Sequence, residues 1–190
     1  MKDIVVSRLK DSIKIKEILM QDEKIINSVF DVAKNIATTI SEGGKVVLCG
    51  NGGSASDALH FAGEIVGRFK KERKSWPAIV LNADVATLTA IANDYGYDNV
   101  YERQVEGFLS DKDIFIGIST SGNSENVYRA CIKANEIGAT TVGFLGKDGG
   151  KIGTAVDVPI VIPCNVTSHI QECHITIIHI ICEIVEEILG

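Results

Sequence analysis

Apolar residues recur at helical spacing through the first 43 residues, and after that the pattern changes. Ile4, Leu9, Ile13, Ile15, Ile18 and Leu19 form one rough stripe. Ile25, Ile26, Val29, Val32, Ala33, Ile36 and Ile40 form a second, stopped by Gly43-Gly44. Five short, β-rich apolar runs follow: KVVLCG (45–50), AIVLN (78–82), DIFIGIS (113–119), TTVGFLG (140–146) and VPIVIP (158–163). Their apolar character is continuous rather than alternating, as in parallel strands buried on both faces. Helix-like segments at about 54–71, 84–93, 98–108, 123–137 and 168–189 separate and follow them. This alternation predicts an α/β fold, a doubly wound, five-stranded parallel sheet flanked by helices, with two N-terminal helices in front. The chain reads as a single domain, with a helical pair over 1–43 and the sheet core over 44–190. Two leading helices this apolar must pack on the sheet or on a neighbouring subunit, so a homo-oligomer is expected.

Charge narrows the functional classes. The chain carries 19 Lys+Arg against 25 Asp+Glu, a net charge of −6. Nucleic-acid binding needs concentrated basic charge, so no nucleic-acid partner is expected. The longest apolar stretch, Ile175 to Val185, is interrupted by His179 and Glu183 and is too short to span a bilayer. The five cysteines (Cys49, Cys131, Cys164, Cys173, Cys182) form no C-x-x-C pair, and the N-terminus lacks a signal-peptide core. A cytoplasmic protein with reduced thiols and no membrane partner is the expectation.

In doubly wound sheets ligands bind at the C-terminal ends of strands, so the loops there carry the chemistry. Gly50-Asn51-Gly52-Gly53-Ser54 follows the first strand and opens a helix. Glycines allow close backbone approach, and a helix N-terminus offers free N–H groups to an anion. The run Gly50–Ala55 fits G-x-G-x-x-A, but the nearest acidic candidate for a dinucleotide ribose, Asp84, comes 34 residues after Gly50 instead of about 20. A phosphate or sugar site fits better than a dinucleotide or a bare turn. After the third strand, Ser119-Thr120-Ser121-Gly122-Asn123-Ser124 puts four hydroxyls where a helix begins. One N-cap needs only one hydroxyl. The surplus points to a phosphate cradle built without basic residues.

His60 and Glu64, four apart on a helix, can bind a metal or pair a base with a polarising group, or merely touch on a solvated face. The last helix holds His169, His174 and His179 in very apolar surroundings. His179 is either a satisfied core histidine or a functional one, and taken alone the core reading is favoured. Wheel geometry nominates Glu172 before Gln171 as its partner and leaves the choice open. Asn93-Asp94 reads either as a helix end or as donors and acceptors for hydroxyls. Lys70-Lys71-Glu72-Arg73-Lys74 reads as a solvated helix end.

The strings CGNGGSASDALHFAGEIVGRF, AIANDYGYDNVY, GISTSGNSENV, GKDGGK and HIQECHITIIHIICEIVE resemble the phosphoheptose isomerases, a family of sugar isomerase (SIS) domain proteins. The resemblance is colinear from about residue 5 to residue 188. It implies the SIS fold and conversion of D-sedoheptulose 7-phosphate to D-glycero-D-manno-heptose 7-phosphate, the first step toward the heptose of lipopolysaccharide cores and some capsules. It also implies a homotetramer with one Zn2+ per subunit and active sites between subunits. By the same resemblance His60, Glu64, Gln171 and His179 match the zinc ligands, which makes Gln171 the inward residue. Glu64 and His179 match the acid–base pair. Asn51, Gly52, Gly53 and Ser54, Asn93 and Asp94, and Ser119, Thr120, Ser121 and Ser124 match substrate contacts, with Glu64 and Gln171 also among them. Ser168-His169 departs from the Arg that many members carry before Ile-Gln-Glu.

Three other classes compete. A non-enzymatic SIS-domain relative binds the bacterial replication initiator, but it lacks counterparts of Glu64 and His179, which this chain keeps. SIS-type regulators add a DNA-binding domain, for which the first 43 residues are too few and too weakly basic. A dinucleotide-dependent oxidoreductase fails on spacing.

Overall fold

The computed structural model describes residues 1–190. Helices α1 (Lys2–Gln21) and α2 (Glu23–Ser41) lead into β1 (Val46–Gly50), α3 (Gly53–Val66) and β2 (Ala78–Val80). Then come α4 (Val85–Tyr95), a 3-10 turn (Tyr97–Asn99), α5 (Glu102–Phe108), β3 (Ile114–Ser119) and α6 (Glu125–Ile137). The chain finishes with β4 (Thr140–Gly146), α7 (Gly150–Gly153), β5 (Val158–Ile162) and α8 (Thr167–Leu189). The five strands form one sheet in the order β2-β1-β3-β4-β5, every neighbouring pair parallel. The expected doubly wound sheet is therefore present.

The strands' two-residue period splits the core into two layers. Val46, Leu48, Ile114, Ile116, Ile118, Val142 and Phe144 face α2, α3 and α8. Val47, Cys49, Phe115 and Leu145 face α5, α6 and α7. The central strands β1 and β3 are buried throughout, which explains their uninterrupted apolar sequence. The strand order reverses between β1 and β3, the position where a doubly wound sheet opens a crevice at its C-terminal edge.

The two leading helices behave differently. Asp22 caps α2, accepting from the Ile25 N–H, and α2 buries Ile25, Val29, Val32, Ala33, Ile36 and Ala37. Helix α1 buries no residue, and Ile4, Val5, Val6, Leu9 and Ile13 stay exposed. Helix α4 also buries nothing, with Val85 exposed. Local boundaries depart from the pattern at two places. The stretch expected as one helix over 98–108 is a 3-10 turn followed by α5. The helix expected to run to 71 ends at Val66, and the charged run after it is irregular chain. No helix is long and apolar enough to cross a membrane. All five cysteines are free, and four of them are buried.

Candidate active site

Two loops meet at the switch point. Gly50 ends β1, and a Cβ there would lie 2.6 Å from the Ser54 carbonyl oxygen. Gly52 turns the chain into α3 with φ of 56°, a conformation that favours glycine. Asn51, between these two glycines, is half-buried. Its carboxamide pairs with that of Asn126, each Nδ2 donating to the other's Oδ1 at 2.9 and 3.0 Å. Tyr97 Oη donates to Asn51 Oδ1 at 2.9 Å, and the buried Tyr101 donates to the Gly50 carbonyl at 2.6 Å. Burial pushes the Tyr101 hydroxyl far above its ordinary range, so it acts as a fixed donor. Asn51 is thus held in the scaffold. Gly52 and Gly53 present exposed backbone, and Ser54 is buried.

The loop after β3 gathers its hydroxyls. Ser119 Oγ lies 2.9 Å from Ser124 Oγ and 3.4 Å from Ser121 Oγ. Ser121 Oγ also accepts from the Asn123 N–H at 3.1 Å. The Ser124 hydroxyl makes no cap bond to α6, and α3 likewise has no side-chain cap. Neither N-cap residue thus spends a side chain on its helix, although the Val127 N–H of α6 is taken by Asn126 Oδ1 at 2.9 Å, and the α6 N-terminus opens beside three clustered hydroxyls. Gly122, with φ of 66°, is pressed against the Gly149 carbonyl, leaving no room for a side chain. The Thr120 carbonyl packs on Gly146 in the same way, a Cβ there lying 2.6 Å away.

Helices α3 and α8 bring the ionisable residues together. His60 Nε2 lies 3.0 Å from Glu64 Oε1 and 3.2 Å from His179 Nε2. The three donor atoms all fall within 4.8 Å of one another. Zinc bonds of about 2.0–2.2 Å place the donors of a tetrahedral set roughly 3.3 Å apart, and a two-histidine, one-carboxylate set is a known catalytic donor combination. The spacing and chemistry of the three residues present therefore fit such an ion. Phe69 stacks on the His179 ring, 5.6 Å between centroids at 22°. One turn before His60, burial pushes the Asp57 carboxyl up to about 6 against the pull of the His60 imidazole, and Asp57 Oδ2 is buried without a partner.

The open choice on α8 is decided by its neighbours. The Gln171 amide lies against Gly53, where any larger residue would collide with it. Glu172 turns the other way, its carboxyl held low mainly by the Ser12 hydroxyl of α1 and also by His169, whose Nδ1 is 3.1 Å away. Gln171 hydrogen-bonds none of His60, Glu64 and His179, and it precedes His179 by eight residues, roughly 12 Å along the helix. Asn93 and Asp94 lie exposed in the last turn of α4 and hydrogen-bond each other at 2.8 Å. Tyr97, three residues further on, ties their corner to the glycine loop through Asn51. His169 and His174 lie outside the cluster. His174 is fully buried and bonds the Leu145 carbonyl.

Sequence reasoning missed Asn126, Tyr97 and Tyr101, which set the glycine loop. It also missed Phe69, Arg73 and Glu186 behind the cluster. Only Glu186 left a trace, as a carboxylate seven residues beyond His179 on the same helix face.

Comparisons with known proteins bear on the family and the fold. The SIS domain family model matches residues 13–146. A phosphoheptose isomerase of Clostridium acetobutylicum is 48% identical over 191 aligned residues, covering 100% of this chain and 97% of its own. One from Aquifex aeolicus is 52% identical over 167 residues, covering 88% and 87%. The solved phosphoheptose isomerase of Neisseria gonorrhoeae superposes with a TM-score of 0.92 at 36% identity, over 98% of each chain. A relative of this identity along the full length, together with a fold that superposes end to end, places the chain in the phosphoheptose isomerase family of SIS-domain proteins.

Proposed function

We propose that the chain is an aldose–ketose isomerase that converts D-sedoheptulose 7-phosphate to D-glycero-D-manno-heptose 7-phosphate. The observation that carries this reading is the His60–Glu64–His179 cluster, together with the hydroxyl cluster at the C-terminal end of β3, in a chain of this family. The reaction moves a proton from carbon 1 to carbon 2 and needs no redox cofactor. Glu64 takes the carbon 1 proton, giving an enediol. His179 acts as its acid partner, and protonation at carbon 2 and exchange between the two oxygens complete the isomerisation. Positioned acid–base groups typically contribute about 10²–10⁴-fold each. Ser119, Thr120, Ser121 and Ser124 with the α6 N-terminus would hold the phosphate, whose remote binding energy orients the reacting end. Asn93, Asp94 and the Gly52–Gly53 backbone would contact sugar hydroxyls, with Gln171 beside them.

His60, Glu64 and His179 would hold a zinc ion, with Gln171 as a further ligand by resemblance. When bound, the ion would polarise the substrate's carbonyl oxygen as a Lewis acid. The exposed apolar faces of α1 and α4 support assembly of several copies, and a tetramer is the reading we favour. A cytoplasmic enzyme supplying heptose to lipopolysaccharide or capsule completes the proposal. The non-enzymatic SIS reading is disfavoured by the clustering of Glu64 and His179.

The test is turnover of sedoheptulose 7-phosphate before and after chelation, with zinc add-back. Activity that chelation removes and zinc restores supports both the isomerase and the ion. Turnover that survives complete metal removal overturns the zinc assignment. Folded, zinc-loaded protein without turnover overturns the isomerase.

A further inference from the structure

Residues 67–77 run between α3 and β2 without regular structure, yet one buried carboxylate holds them. Glu186 of α8 is 2% exposed. Its Oε1 accepts from the Phe69 N–H at 2.8 Å and from Arg73 Nε at 2.9 Å. Its Oε2 accepts from the N–H groups of Lys70 and Lys71 at 2.8 and 2.9 Å. Removing an ion pair from water is expensive, and the cost is offset only when most of its hydrogen-bonding capacity is used, as here.

Arg73 directs its other nitrogens mainly to the end of α3, with Nη1 also donating to the Lys74 carbonyl at 3.1 Å. Its Nη1 donates to the Ile65 carbonyl at 3.0 Å and its Nη2 to the Glu64 carbonyl at 2.8 Å. The guanidinium lies 3.5 Å over the Trp76 ring. One ion pair therefore grips the backbone of Glu64 on one side and the amide of Phe69 on the other. The Phe69 ring lies flat on His179. Within the chain, His179 makes its side-chain hydrogen bond through Nε2, to His60. A second hydrogen bond at the other ring nitrogen is the usual way to fix an imidazole. Here packing sets the ring plane: the His60 ring meets His179 edge-on, 5.0 Å between centroids, and Phe69 is the ring stacked on it.

We infer that Phe69 is a positioning residue: stacked on His179 and anchored by the buried Glu186–Arg73 pair, it keeps Nε2 of His179 turned toward His60 and Glu64. The inference rests on the acid–base reading of Glu64 and His179. Phe69 is half-buried on irregular chain and packs against the edge of the core, so the variants keep apolar bulk there.

The experiment compares Phe69→Leu and Phe69→Tyr with the wild type, after matching their melting curves. Leucine keeps apolar bulk and loses the flat face, whereas tyrosine keeps both. The ring protons of His179, identified by their loss in His179→Gln, are read by NMR in ring-labelled protein. A stacked aromatic shifts them upfield. That shift should vanish in Phe69→Leu and persist in Phe69→Tyr. For sedoheptulose 7-phosphate, Phe69→Leu should lose at least tenfold in kcat with KM within twofold, and Phe69→Tyr should recover most of the loss. A wild-type kcat in Phe69→Leu, or a His179 signal that does not move, overturns the inference. A wild type without turnover overturns the isomerase reading instead, while the His179 signal still decides whether Phe69 sets the ring.

Discussion

The carboxamides of Asn51 and Asn126 pair reciprocally across the switch point of the sheet, at 2.9 and 3.0 Å. They join the loop after β1 to the first turn of α6, so the glycine loop and the hydroxyl loop form one rigid unit. Asn126 is 2% exposed, and truncating it leaves the Asn51 amide short of partners. Asn126→Ala should lose about 1–3 kcal/mol of stability, the usual cost of stranding a buried polar group. It should also raise KM for the phosphorylated sugar, because both loops shift. Urea unfolding and steady-state kinetics check this, and a variant within about 0.5 kcal/mol of wild type and unchanged in KM would contradict it.

The hydroxyl cluster makes a prediction of a different kind. The Ser121 and Ser124 hydroxyls accept nothing from the α6 backbone, and Ser121 Oγ takes only the N–H of Asn123 in the loop, so their loss should spare the fold. Hydrogen bonds to a charged group are worth about 1.5–3 kcal/mol each. Ser121→Ala/Ser124→Ala should therefore raise KM by roughly tenfold or more, with a melting temperature near that of the wild type. An unchanged KM would refute the cradle.

Glu64 tests the chemistry. Its carboxylate is 3.0 Å from His60 Nε2, with 23% of the side chain exposed. Glu64→Gln keeps the shape and removes the base. Turnover should fall by about 10²–10⁴-fold or more while sugar-phosphate binding persists. Titration calorimetry on the folded variant measures the second half of the prediction. Loss of binding along with turnover would assign Glu64 to substrate affinity instead.

The contrast between strands and site shows what a sequence can carry. The five strands were legible because burial on both faces writes a continuous apolar run into each. The hydroxyl loop was legible because four hydroxyls exceed one cap. The Asn51–Asn126 pair was not, since its partners lie 75 residues apart and neither type is unusual in a loop. Arg73 was misread for a related reason. In Lys70-Lys71-Glu72-Arg73-Lys74 every residue looks solvated, and only the packing of α8 shows that the Arg73 side chain is 10% exposed and paired with Glu186. Gln171 and Glu172 differ by about 100° on a helix wheel, and that angle alone decided nothing. Glu172 instead pairs with His169 and sits on the side of α8 near Ser12 of α1, a placement that depends on a helix pairing no local pattern encodes.

Acid should weaken the fold through His174 first and Glu186 second. His174 is fully buried, its Nε2–H donating to the Leu145 carbonyl at 3.0 Å while Nδ1 has no partner. Burial pushes its pKa down from 6.5 to about 4, against the opposing pull of the Leu145 carbonyl. The folded state thus binds this proton less readily than the unfolded chain. Its contribution to stability is fully present above pH 6.5 and is lost as pH falls toward 4, by about 3 kcal/mol in all. For Glu186 burial raises the pKa, but the N–H groups of Lys70, Phe69 and Lys71 and the Arg73 guanidinium outweigh it, bringing it from 4.5 down to about 2. Its contribution is present above pH 4.5 and is lost between there and pH 2. The windows adjoin, but the Asp57 carboxyl, raised from 3.8 to about 6, works the other way between those values, so the His174 share is read against a variant and not from the wild-type curve alone. His174→Gln keeps an N–H for Leu145 and cannot titrate. Urea midpoints measured from pH 7 to 3 should show this variant flatter than wild type between pH 6.5 and 4 and parallel to it below. Curves that run parallel throughout would mean that His174 does not carry the acid sensitivity.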